Sequence, residues 1–106
     1  MEKDAIYRIK FLNQDEVYEV YAKHLYQSDL WGFLEVEEFV FGSQTQMVVD
    51  PSEEKLKQQF EDVERSYIPM QSVIRIDEVK HHGVAKITPA RGGNVAAFPG
   101  MPPKHK

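Results

Sequence analysis

Apolar and polar positions alternate strictly at the start of the chain. Over residues 5–12, Tyr7, Ile9 and Phe11 alternate with Arg8 and Lys10, the period-two signature of a half-buried strand. Asn13, Gln14 and Asp15 then supply a polar turn. Residues 16–25 alternate again, with Tyr18, Val20 and Ala22 on one face and Glu19, Tyr21 and Lys23 on the other. The two strands predict an antiparallel hairpin. Residues 27–42 hold the only Trp and three of the six Phe, and are expected to be the stretch the rest is built around. Ser28 and Asp29 are expected to start a short turn of helix before Gly32. Strand three is expected over 33–41, where Leu34 and Val36 alternate with Glu35 and Glu37. Phe39, Val40 and Phe41 are consecutive, so parity changes after Glu38. Either both faces are covered there or a bulge re-aims the strand.

A turn at Gly42 and Ser43 leads to strand four, 46–49. Asp50-Pro51-Ser52-Glu53 then reads as a helix start: Asp50 caps, Pro51 takes the first helical position and Glu53 stands at N3. Leu56, Phe60 and Val63 form one apolar stripe, leaving Lys55, Gln58, Gln59 and Asp62 to water. Short strands follow at 66–68, before Pro69, and at 73–79. Lys80-His81-His82-Gly83 reads as a hairpin turn, with 84–88 returning beside 73–79. This predicts a mainly β domain with one helix (α+β), folded as a strongly bent antiparallel sheet or a small SH3-like or Sm-like barrel. The expected core is Ile9, Phe11, Val20, Leu34, Val36, Phe60 and Ile76.

Composition refines this picture. A chain of 106 residues reads as one globular domain, residues 1–89, followed by a flexible Pro/Gly-rich tail, residues 90–106. The net charge of −4 is unevenly spread. Residues 1–78 hold all 17 acidic side chains against 8 basic ones, and the remainder holds 5 basic side chains and no acid. The absence of cysteine excludes disulfides, thiolate metal sites and cysteine nucleophiles, and suits a cytoplasmic protein. The charged start, MEKDAIYRIK, has no apolar signal region, and no run is long enough to span a membrane.

Catalytic chemistry finds little purchase. Glu35 and Glu37 share one outward strand face, and Asp77 and Glu78 lie on another strand. A solvated face paired with Arg8, Lys10, Lys23 or Arg75 explains these acids better than a paired-carboxylate mechanism. His24 stands alone, and adjacent His81 and His82 lack metal-ligand spacing. No serine has a nucleophile-elbow context, and Gly92-Gly93 precedes no helix start. No catalytic residue, metal or cofactor is therefore expected.

Binding is a better match to the residues. Tyr21 lies on the polar face of strand two and Trp31 beside a turn glycine, so both are candidate exposed aromatics. Phe98-Pro99-Gly100-Met101-Pro102-Pro103 could dock as an extended segment, with Phe98 and Met101 as its apolar contacts. Arg91 adds a basic group to the same tail. The expectation is a non-catalytic module, monomeric or weakly dimeric, that binds another protein. The alternative is RNA or ribonucleoprotein binding through the basic C-terminal segment, with Lys80, Lys86, Arg91, Lys104 and Lys106 on phosphates.

The runs YQSDLWGFLEVEEFVFG (26–42), VVDPSEEKLKQQF (48–60) and YIPMQSVIRIDEV (67–79) together resemble a small proteobacterial family, the domain of unknown function numbered eighteen-twenty. The resemblance covers most of residues 6–88. It implies a bacterial cytoplasmic protein and brings no activity or catalytic residue with it.

Overall fold

The computed structural model describes residues 5–42 and 50–90. The expected strand at 46–49 and the tail beyond residue 90 lie outside them. The described residues form six strands and one helix, in order: β1 (Ile6–Asn13), β2 (Glu16–Gln27), β3 (Phe33–Phe39), α1 (Pro51–Gln59), β4 (Arg65–Pro69), β5 (Val73–Val79) and β6 (Lys86–Pro89). All strands join one antiparallel sheet in the order β4-β3-β2-β1-β5, with β6 on β2. The strand-rich, one-helix expectation holds. The sheet is strongly bent and open rather than closed as a barrel: β4 and β5, at its opposite edges, are joined by the single 3-10 turn Met70–Ser72.

The centre of the sheet is β2, not the 27–42 stretch. Along one side β2 pairs with β1 from Glu16 to Ala22. Along the other it pairs with β6 at Glu16–Glu19 and with β3 at Ala22–Gln27. Twelve residues give it length enough for two neighbours end to end. The β1–β2 loop is only two residues, and both Gln14 (φ 52°) and Asp15 (φ 66°) adopt the left-handed conformation that a twist-matched tight hairpin demands.

Strand three ends at Phe39, earlier than the sequence pattern predicts, and its parity change has a local cause. Glu38 sits at φ 59°, which turns its carboxylate outward and lets Phe39 take the inward place. Phe39 then stacks on Phe60 with ring centroids 4.4 Å apart. The core comprises Ile9, Phe11, Tyr18, Val20, Ala22, Leu34, Val36, Leu56, Ile68 and Ala85, with Phe60 packed against it. Each fully buried aliphatic side chain contributes about 1.5–3 kcal/mol. Ile76 does not join this core. It neighbours buried Ile9, but among the described residues no strand pairs with the far side of β5, and Ile76 stays 38% exposed.

Helix α1 starts as its sequence dictates. The Asp50 Oδ1 accepts from the backbone N–H of Ser52 at 2.9 Å and of Glu53 at 3.3 Å, and Pro51 follows at N1. Glu53 departs from the expected capping box. Its buried carboxylate accepts the backbone N–H of Gly42 at 3.2 Å and of Ala85 at 3.1 Å, tying two distant loops to the helix. The helix ends at Gln59, so Val63 lies beyond it and is exposed.

The segment after β5 is not a hairpin turn. It crosses over Tyr21 and delivers β6 to β2, where Ile87 meets Tyr18 and Lys86 meets Glu19. Gly83 permits the crossing: a Cβ there would stand 2.9 Å from the Tyr21 hydroxyl. Because of this cover, Tyr21 is buried rather than exposed.

Candidate functional site

The sheet face opposite α1 carries two side-chain groups across β5, β1 and β2. In register stand Asp77, Arg8 and Tyr21, and beside them Arg75, Lys10 and Glu19. The Arg8 Nη2 donates to Asp77 Oδ2 at 2.8 Å, and the Arg75 Nε donates to the same oxygen at 2.9 Å. Lys10 turns to Glu19 at 3.9 Å, and the Tyr21 hydroxyl donates to Glu19 at 3.3 Å. Arg75 and Lys10 are thus like charges side by side, Arg75 relieved by Asp77 in the next row and Lys10 by Glu19 in its own. The hydrogen bond from Arg8 outweighs partial burial and holds the Asp77 carboxyl below its ordinary value, with Arg75 adding to the effect. Arg8 is correspondingly raised, first by Asp77 and then by Tyr21. His82 meets the Tyr21 ring edge-on at 6.1 Å. The charges of this network are matched, although the buried Arg8 Nε itself has no hydrogen-bond partner, and together they link three strands and the crossing segment.

Towards the other end of the same sheet, Arg65 on β4 is gripped by Glu37 at 2.6 Å and Glu35 at 3.1 Å. The Glu37 hydrogen bond, then the Tyr67 hydroxyl, holds Arg65 above its ordinary value. These acids are neutralised by one guanidinium rather than poised across a cleft, and their partner is Arg65 instead of the bases expected from sequence. His24 stacks on Tyr26 and lies 3.5 Å from Glu38. Among the described residues, no group of three or more acids and histidines is placed to hold a metal ion.

The turn between β2 and β3 carries exposed apolar side chains. Phe33 N–H donates to Leu30 O at 3.1 Å around a turn whose third residue, Gly32, has φ 83°. A type II turn reserves that position for glycine and projects the residue before it. Trp31 is that residue, and it is 94% exposed. Leu30 is exposed beside it. Met70 joins them, because its N–H donates to Gly32 O at 2.8 Å. One step inward, exposed Tyr26 and Tyr67 flank Glu35 across the β2–β3–β4 ladder. Five of the nine large exposed apolar side chains described thus gather at this end, which makes it a patch rather than scatter.

Of the residues singled out from sequence, Trp31 is in the patch and Tyr21 is not. Arg91, Phe98 and Met101 lie outside the described residues. Leu30, Tyr26, Tyr67 and Met70 were missed. Leu30 and Met70 carried a signal, being large apolar residues in turns. Tyr26 and Tyr67 carried none, since only strand pairing sets them on either side of Glu35.

Fold and surface together define a small, bent, antiparallel β domain with a single capped helix and an aromatic patch at one end. The chain matches the family Domain of unknown function (DUF1820) over residues 5–100, and it belongs to that family. No curated protein and no solved structure shows significant similarity to it. No helix among the described residues is long and apolar enough to cross a membrane.

Proposed function

We propose that this domain is a non-catalytic interaction module that docks another protein on the patch formed by Leu30, Trp31 and Met70, with Tyr26 and Tyr67 at its border. The observation that carries this reading is the near-complete exposure of Trp31 on a turn built to project it. Displaying an indole to water forgoes the burial that stabilises most tryptophans, and tryptophan is the side chain most enriched at binding hot spots. Asp29 adjoins Leu30 in sequence, and Glu35 and Glu37 share the guanidinium of Arg65 beside the patch. The partner this surface suits offers an apolar cleft for the indole with basic or amide donors at its rim.

The test uses the only tryptophan as its own reporter. In the free protein Trp31 emission is expected to be red-shifted and readily quenched by acrylamide. Proteins captured on the full chain are then titrated against wild type and Trp31→Ala. A partner bound through the patch protects the indole from quencher and loses at least tenfold in affinity with Trp31→Ala, about 1.4 kcal/mol or more. If every captured protein binds the variant as tightly as wild type, the proposal fails.

A further inference from the structure

The two ends of the β4-β3-β2-β1-β5 path are guarded differently. At one edge, β4 is five residues long and ends in Pro69, which offers no N–H. At the other, β5 runs seven residues, Val-Ile-Arg-Ile-Asp-Glu-Val, with neither Pro nor Lys. Among the described residues, its second side pairs with no strand. The chain leaves β5 toward Tyr21 on β2, away from that side. Ile74 and Ile76 on this edge are 55% and 38% exposed, and the Arg75 side chain is 66% exposed. An unpaired edge of this kind is a template for another strand.

We propose that β5 pairs antiparallel with β5 of a second copy of this chain about a two-fold axis through Ile76, which extends the sheet across both molecules. Residues directly opposite in an antiparallel pair share a face, so the axis passes through a residue position and not between two. Axes at Arg75 or at Asp77 set like charges against each other, which destabilises the pair. The axis at Ile76 instead sets Ile76 against Ile76 and each Arg75 against the other copy's Asp77. It continues the apolar row that begins at buried Ile9, and it covers the exposed part of Ile76. Ile74 meets Glu78 and adds little. The register shift beside Phe11 leaves Ile74 as an extra residue, which confines the regular ladder to the middle of β5. A ladder this short makes a concentration-dependent dimer.

The chain contains no cysteine, so single cysteines read the register directly. Opposed Cα atoms in an antiparallel pair lie about 4.5–5.5 Å apart, inside the disulfide range of about 4.4–6.8 Å. Ile76→Cys therefore meets itself across the axis. Arg75→Cys does not, because its copy is offset by two residues along the strand. Under mild oxidation Ile76→Cys is expected to cross-link at least tenfold faster than Arg75→Cys at equal concentration. By sedimentation equilibrium the wild-type mass rises with concentration from 12.3 kDa toward twice that value. Ile76→Lys and Arg75→Asp each weaken association at least tenfold with unchanged circular dichroism. Should Ile76→Lys fail to fold, Arg75→Asp at its exposed position reads the same interface. Equal cross-linking by the two cysteine variants overturns the proposal. So does a wild type that stays monomeric at every concentration, or association unaffected by both charge variants.

Discussion

Asp77 accepts from two arginines on a sheet face that is open to water, and this fixes how it behaves in acid. Its folded-state pKa is depressed, so its contribution to stability is fully present above the unfolded value of about 3.9. That contribution is lost as pH falls through the lower folded value. Asp77→Asn removes it at neutral pH and leaves Arg8 with a weaker acceptor. Urea midpoints of wild type and Asp77→Asn should therefore differ at pH 7 and converge as pH is lowered below about 4. A gap that persists undiminished to pH 2 would show that the charge of Asp77 is not what the fold uses. At this scale the sequence was partly legible. Glu35, Glu37 and Asp77 are paired as their outward positions foretell, but which base pairs with which depends on strand register, and no alternation pattern encodes that.

At the scale of elements, α1 is held at its start by two different acids. Asp50 caps the first turn, as its place before Pro51 foretells. Glu53 looks like a capping-box residue in sequence, yet it turns away from the helix to Gly42 and Ala85. The local pattern cannot tell these roles apart, because Ala85 lies 32 residues further on. Glu53→Ala leaves two backbone donors without their acceptor, at about 1–3 kcal/mol for each one that water cannot reach. Glu53→Gln keeps a carbonyl oxygen in place and is expected to recover part of that loss. Thermal melts of the three proteins decide it: a Glu53→Ala melt equal to wild type would mean the loops are held by other contacts. The same contrast explains the misread hairpin. Lys80–Gly83 has turn chemistry, but Gly83 is needed for its missing side chain over Tyr21 and not for reversing the chain.

For the molecule as a whole, the sequence foretold all six described strands, the helix and the bend, because each rests on short-range periodicity, capping or turn residues. It misplaced whatever depends on strand order. Ile76 alternates like a core residue, but an edge position leaves it half covered. Tyr21 alternates like a surface residue, but a crossing segment lies on it. Trp31 was found because its neighbour Gly32 is a local signal, whereas Tyr26 and Tyr67 lie 41 residues apart in sequence and face the same glutamate only through β3.

The sharing of one side of β2 between β6 and β3 also sets how the domain comes apart. Strands β1, β2 and β3 form a consecutive meander closed by short loops, while β6 reaches β2 only after about 70 intervening residues. It holds on by four register pairs, so its release exposes little and leaves the meander intact. Native-state hydrogen exchange should therefore resolve two cooperative units. The amides of Lys86, Ile87 and Thr88 exchange through a low-energy opening, and those of Ile9, Lys10 and Phe11 only through global unfolding. Added denaturant merges the two classes as it lowers the global barrier. Protection of equal depth in both sets would show that β6 opens only together with the whole domain.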